Sequence, residues 1–119
     1  MKTHKDLDVW KKSIDFVIKV YNLIDKFPNN EKYGIVSQIR KAAVSIPSNI
    51  AEGSARNSKK ELIQFLFISL GSAAELETQL IISEKLKYIE NLDVLNDLND
   101  IQKMIMGLIK YLRNKEYNK

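Results

Sequence analysis

The sequence contains no cysteine and a single histidine, His4. Without cysteine, the chain can form neither disulfides nor thiolate zinc sites, and it has no thiol nucleophile. The di-iron sites of helical bundles require a Glu-x-x-His motif from each of two helices, which one histidine cannot supply. No serine or threonine has a histidine base with which to pair. We therefore expect a protein that is not an enzyme and that has no catalytic residues, metal site or cofactor.

Turn-forming residues and long apolar runs are also scarce. Four glycines and two prolines leave little material for a turn-rich all-β fold. The longest apolar runs are far shorter than the ~20 residues that span a bilayer, and no signal-peptide pattern precedes the first periodic segment. A chain of 119 residues, 45% of them hydrophobic, suffices for one domain with one core. We expect a single cytoplasmic domain, residues 1–119, without a membrane segment.

Apolar residues recur at intervals of three and four along four segments of the chain. In the first segment they fall at Leu7, Trp10, Ile14 and onward to Ile24. This spacing marks one face of an α-helix, and short connections between helices favour antiparallel neighbours. The pattern predicts an all-α fold, an antiparallel up-down-up-down four-helix bundle. The predicted helices span about residues 6–27, 30–56, 59–87 and 92–113.

Polar residues at the predicted helix starts can cap them. Asn29 or Asn30 is a suitable N-cap for the second helix, and Asn91 for the fourth. Ser58 and Glu61 have the spacing of a capping box at the start of the third. The caps agree with the boundaries that the apolar spacing predicts.

Pro47 lies inside the second predicted helix, within the motif RKAAVSIPSNIAEG. A proline cannot donate a hydrogen bond to the carbonyl four residues earlier, here Ala43, and its ring pushes that carbonyl aside. One possibility is that a new helix begins at Pro47, but its N-cap would then be Ile46, and isoleucine is a poor N-cap residue. The other is that one helix continues with a kink. In the second case, a hydroxyl or a water bonds to the freed carbonyls. The unbroken apolar phase from Ile39 to Ile50 favours a single helix, kinked at Pro47.

A line of polar residues follows the second predicted helix at spacings of four, three and four, and the third carries a matching set. One interpretation makes Glu52, Glu75 and Glu77 metal ligands or acid–base carboxylates. The other is a hydrogen-bond network that fixes the register of the two helices, with arginines neutralising the glutamates. The lack of histidine partners favours the structural network. Its predicted members are Ser45, Asn49, Glu52, Arg56, Ser72 and Glu75.

Between Leu7 and Leu80 the sequence contains LDVWKK, FPNNEKYG, RKAAVSIPSNIAEG and FLFISLGSAAELETQL. This combination resembles the four-helix-bundle protein family of 23S rRNA intervening sequences; the fourth predicted helix matches only in its apolar rhythm. The resemblance implies a small all-α protein without catalytic activity that assembles as a cyclic homopentamer. A similar bundle, the accessory protein of diversity-generating retroelements, is a basic pentamer associated with nucleic acid and reverse transcriptase.

The chain carries a formal net charge of +4. In an up-down bundle, the start of the first helix, the second connection and the end of the fourth helix share one end, where basic residues outnumber acidic ones. Such an end would contact phosphates, so we expect salt-sensitive binding of RNA, DNA or a nucleoprotein partner. Alternatively, the lysines only keep the surface soluble, and the protein is a structural or protein–protein interaction scaffold. The candidate nucleic-acid residues are Lys5, Lys11, Lys12, Arg56, Lys59, Lys60, Lys110 and Arg113.

The first predicted helix carries a second apolar stripe, offset from the one that begins at Leu7. Because one stripe suffices for a bundle core, the second is either an exposed contact between copies or part of a wide buried face in tilted packing. We favour the contact between copies, and hence a homo-oligomer. The predicted interface residues are Val9, Phe16, Val20, Leu23 and Phe27.

Overall fold

The computed structural model describes residues 3–90 and 93–117 of the chain. These residues form four α-helices, and neither described stretch contains a β-strand. The all-α, four-helix fold predicted from the apolar spacing is confirmed. The helices are α1 (Asp8–Ile24), α2 (Ile35–Ser54), α3 (Lys59–Lys85) and α4 (Asp93–Tyr117).

Each helix packs against two others: α1 and α3 both contact α2 and α4. The result is an elongated bundle with extents of 53 × 21 × 19 Å. Ser45 faces Ser72 and Ile46 faces Ser69, so α2 and α3 run antiparallel. The up-down-up-down order of all four helices stays a prediction.

Three helix boundaries differ by three residues or more from those predicted, and the first is the end of α1, which lies at Ile24 rather than near residue 27. The prediction that α2 starts after Asn29 or Asn30 is wrong, because Asn29–Glu31 forms a separate 3-10 turn and α2 begins at Ile35. The backbone N–H of Glu31 donates to the carbonyl of Pro28 and closes that turn. At the other end of the chain, α4 continues to Tyr117 rather than ending near residue 113. The predicted cap at Asn91 lies outside the described residues.

Ser58 is the N-cap of α3, as its spacing from Glu61 predicts. The backbone N–H of Glu61 donates to Ser58 Oγ at 3.1 Å. In a capping box the Glu61 carboxylate would accept a hydrogen bond from the backbone N–H of Ser58. Here it accepts one from the Ser58 hydroxyl instead, at 3.2 Å. One orphan backbone donor of the first turn is thereby satisfied.

The helix α2 runs without interruption from Ile35 to Ser54, with Pro47 buried inside it. This continuity excludes a new helix starting at Pro47. The hydroxyl of Ser69 in α3 donates to the carbonyl of Ile46, just before the proline, at 2.9 Å. A hydroxyl therefore bonds to a backbone carbonyl beside Pro47, but this carbonyl is not that of Ala43, which the proline leaves without its helical donor. The kink at Pro47 stays a prediction.

The buried face of α1 corrects the predicted oligomer interface. Phe16 is only 3% exposed and Val20 is fully buried, so these side chains belong to the core of the single chain. Because α1 packs against both α2 and α4, it needs a buried face wider than one stripe. The second stripe is therefore part of a wide buried face, which was the alternative to a contact between copies. Of the predicted interface residues, Val9, Phe16, Val20 and Phe27 are buried and Leu23 is half-buried against the core.

The helix α3 is apolar on more than one side. By length and composition alone it could cross a membrane, contrary to the expectation from its short apolar runs, and 33% of its most apolar stretch is buried. Core helices of soluble proteins meet the same criterion. The large apolar side chains that it exposes are Phe67, Ile68, Ile81 and Ile82.

Lys87 has a left-handed backbone, with φ of 65°, at the end of α3. The N–H of Tyr88 donates to the carbonyl of Ser83, and the N–H of Lys87 to that of Glu84, both at 2.9 Å. These two bonds form a Schellman motif with Lys87 at the position where glycine is usual. A lysine there carries a steric cost that a glycine avoids.

Replacing Lys87 with glycine is therefore expected to stabilise the protein by about 0.5–1 kcal/mol, after the greater unfolded-state entropy of glycine is subtracted. The measurement is the midpoint of urea unfolding, with Lys85→Gly as the matched control. Because Lys85 lies in the last turn of α3, that change should lower the midpoint. A Lys87→Gly midpoint at or below the wild-type value would contradict the argument.

Candidate nucleic-acid interface

A small set of neutral polar contacts joins α2 to α3 near their middle. The hydroxyls of Ser45 and Ser72 lie 2.8 Å apart. The amide of Asn49 donates to both the carbonyl and the hydroxyl of Ser45, each at 2.8 Å. With the bond from Ser69 to the Ile46 carbonyl, these contacts lie between closely approaching helices. Hydrogen bonds in such a position fix the register of the two helices.

The glutamates assigned to the same network lie outside these contacts. Glu52 pairs with Arg56 one helical turn later at 3.2 Å, with the two side chains 54% and 44% exposed. Glu75 is exposed on α3. Among the side chains that the structure describes, in residues 3–90 and 93–114, no three histidine, aspartate or glutamate residues cluster as a metal site requires. The arrangement offers packing and register rather than acid–base or metal chemistry.

The candidate basic residues divide into groups with different surroundings. Arg113 and Lys110 line one groove between α3 and α4, about 270 Å³ in volume. Lys12 instead lines a cleft with Asp15 and Asp97, in which acidic groups offset its charge. Lys5, Lys11, Arg56, Lys60, Lys110 and Arg113 are exposed, and Lys12 and Lys59 are half-buried.

Two of the candidate arginines lie over phenylalanine rings of α3. The Arg56 guanidinium is 5.1 Å from the centre of the Phe65 ring, and that of Arg113 is 5.2 Å from the centre of the Phe67 ring. Residues two apart on an α-helix point to nearly opposite sides. The two pairs therefore lie on the two flanks of α3 at the same level, and each guanidinium is held by its ring.

These phenylalanines were not predicted as parts of the candidate site. The available signal was Phe67 itself, a large apolar residue outside the predicted stripe, which is 45% exposed in the structure. The sequence predicts contact with phosphates, and this exposed ring adds a second kind of surface.

An exposed ion pair and a half-buried hydrogen bond join other parts of the fold. Lys19 of α1 pairs with Asp97 of α4 at 2.6 Å, and this hydrogen bond raises the pKa of Lys19 against the opposing effect of desolvation. Tyr88 donates to the Glu31 carboxylate at 2.8 Å, which raises the pKa of Tyr88. Because the pKa of each group is raised, each contact stabilises the fold at pH values below the group's ordinary pKa, which is 10.5 for Lys19 and 10.0 for Tyr88. This stabilisation is lost as the pH rises through the raised pKa of the group in the folded protein. The exposed ion pair of Lys19 and Asp97 contributes little to the stability of the fold.

Comparison with known proteins agrees with the sequence motifs. Residues 5–107, which include α1, α2, α3 and most of α4, match the family of 23S rRNA-intervening sequence proteins. A protein with unknown function from the S23 ribosomal protein family of Bacteroides thetaiotaomicron has a similar structure, with a TM-score of 0.79 and 30% sequence identity. The match covers 86% of this chain and 95% of that chain. No curated protein matches the sequence. The chain belongs to the 23S rRNA-intervening sequence protein family.

Proposed function

We propose that the protein is a non-enzymatic, cytoplasmic helical bundle that binds RNA or DNA, alone or in a nucleoprotein partner, through a basic end. The basic end consists of Arg56, Lys59, Lys60, Lys110 and Arg113. The observation that carries the proposal is the groove between α3 and α4, whose lining includes Lys110 and Arg113 and, among the side chains that the structure describes, no acidic residue. By contrast, the cleft that Lys12 lines contains acidic residues as well as basic ones.

The chemistry of this end suits a polyanion. Lysine and arginine that contact phosphates displace condensed counterions, so affinity falls steeply with salt and depends little on sequence. The phenylalanine rings beneath Arg56 and Arg113 reduce the freedom of both side chains. Held side chains lose less entropy when they bind.

A second candidate function is a homo-oligomeric scaffold without nucleic-acid binding. The exposed apolar residues of α3 favour it, as does the groove between α1 and α2 that Ile18 and Val44 line, because exposed apolar patches usually mark a contact. The cyclic pentamer implied by the family resemblance fits either function. In a ring of copies, the basic ends would form one positive band.

Charge reversal tests the nucleic-acid function. The triple variant Arg56→Glu, Lys59→Glu, Lys60→Glu is expected to weaken binding at least tenfold for RNA and DNA of any sequence. The slope of log affinity against log salt should decrease in magnitude by about three, one unit for each lost phosphate contact. Fluorescence anisotropy of labelled oligonucleotides across a salt series measures both.

The matched control is Lys85→Glu with Lys87→Glu, near the other end of α3, where both side chains are exposed. This pair should leave affinity and slope nearly unchanged. If both sets of reversals act alike, or if the wild type binds neither RNA nor DNA at low salt, the basic end is not a nucleic-acid site. The scaffold would then be the better account.

A further inference from the structure

We propose that the groove between α3 and α4 binds an unstacked base of single-stranded nucleic acid. This inference rests on the proposed function and specifies its ligand. The groove joins an apolar floor to two cations. Its lining residues are Phe67, Leu70, Met106, Ile109, Lys110, Arg113 and Asn114.

The apolar part of the groove is open to solvent. Phe67 is 45% exposed and Met106 is 60% exposed, while Ile109 between them is buried and closes the floor. The volume, about 270 Å³, lies just below the ~300 Å³ at which sites for drug-sized ligands begin. The groove therefore suits one base rather than a whole nucleotide chain.

The polar residues of the groove can contact the face of a base, its edge and the phosphates that flank it. The Arg113 guanidinium lies 5.2 Å from the centre of the Phe67 ring, and nucleobases stack on both aromatic rings and guanidinium planes. Lys110 and Arg113 can neutralise the phosphates that flank the bound base. The amide of Asn114 lies at the same groove and can bond to a base edge. In a duplex the bases are paired and stacked inside, so only a single strand can present one to this groove.

The same two cations argue against a second copy of the chain as the occupant. Burying Lys110 and Arg113 beneath an apolar surface would remove their hydration without replacing it. The groove between α1 and α2 is the contrasting case. Its lining includes Trp10, Ile18 and Val44 but, among the described residues, neither lysine nor arginine, so an apolar partner there would bury none of those charges. A contact between copies fits that groove better.

The test compares four labelled ligands of equal length by fluorescence anisotropy at low salt: single-stranded DNA, single-stranded RNA, a duplex, and an abasic phosphate–deoxyribose strand. The wild type should bind the two base-bearing single strands more tightly than the abasic strand and the duplex. Phe67→Leu keeps the apolar bulk and removes the π-face. It should weaken single-strand binding about five- to a hundredfold without changing the salt slope, because it removes no phosphate contact.

Two further variants make the result specific. Arg113→Lys keeps the charge but loses the plane, so it should lower single-strand affinity while preserving the salt slope. Tyr33 is the matched aromatic control: it is 89% exposed, and Lys32 lies over its ring at 5.6 Å, near the start of α2. Tyr33→Leu should change none of the four affinities.

Equal wild-type affinity for the abasic strand, or wild-type behaviour of Phe67→Leu and Arg113→Lys, would overturn the base-binding inference. The proposed function would stand in that case, provided that the triple reversal at Arg56, Lys59 and Lys60 still weakens binding. A wild type that binds no strand at low salt would overturn both. If Phe67→Leu lowers the light-scattering mass and leaves strand affinity unchanged, the groove is a contact between copies instead.

Discussion

Replacing Phe16 with glutamate is expected to unfold the protein rather than to dissociate an oligomer. Phe16 is 3% exposed within the core of the chain, and the change removes an aromatic ring while burying an unpaired carboxylate. The loss of packing alone costs about 3–5 kcal/mol in comparable cores. Burying a charge adds to this, and typical domains have only about 5–15 kcal/mol of stability in total. Circular dichroism at 25 °C should show most of the helical signal lost.

Ile18→Glu is the control two residues further along α1. Ile18 is 59% exposed, so the variant should keep wild-type helicity and a wild-type unfolding midpoint within about 0.5 kcal/mol. If the groove between α1 and α2 joins copies of the chain, Ile18→Glu should also lower the light-scattering mass. A helical Phe16→Glu variant of reduced mass would instead support the interface that the apolar pattern of the sequence suggested.

The sequence predicted the number and type of the helices because those signals are local and repeated. Apolar spacing persists over at least four turns in each helix, so one ambiguous residue does not change the assignment. The Ser58 cap was equally accessible, since its partner Glu61 is only three residues away. The unbroken apolar phase across Pro47 predicted the continuous α2 despite the local preference of proline.

The sequence could not decide which face of α1 points inward. Its two stripes have the same period, and the buried stripe is interrupted by Ser13, which makes it look less apolar than the other. In the structure, the Ser13 hydroxyl donates to the carbonyl of Trp10 at 2.8 Å. That internal bond removes most of the cost of burying the hydroxyl. Only the positions of α2 and α4 settle which stripe becomes the core.

The basic residues of the candidate site were identified from the sequence, but their stacking partners were not. Charge is a property of each residue, so the bundle topology alone suggests which lysines and arginines share an end. The pairing of Arg113 with Phe67 depends on the register of α4 against α3, over a separation of 46 residues in the chain. No local pattern specifies that register. The surface that we propose for base stacking could therefore not be predicted from the sequence.

Gly53 lies where α2 and α3 approach each other closely. A Cβ atom built on it would lie 2.7 Å from the Cβ of Phe65 and 3.3 Å from the Cα of Leu62. Both atoms are fixed to the backbone of α3, so neither can rotate away as the end of a flexible side chain would. An alanine at this position must push the two helices apart.

Gly53→Ala is therefore expected to destabilise the protein by about 2–3 kcal/mol, because separating α2 from α3 also strains the contacts along their shared face. This loss must exceed the gain of about 1 kcal/mol that alanine brings inside any helix. Gly71→Ala in α3 measures that gain alone, since nothing lies within 4 Å of its added Cβ, and it should stabilise the protein. Urea unfolding midpoints of the two variants should therefore move in opposite directions. Equal upward shifts would mean that the helices separate at negligible cost, and that the close approach at Gly53 does not hold them in register.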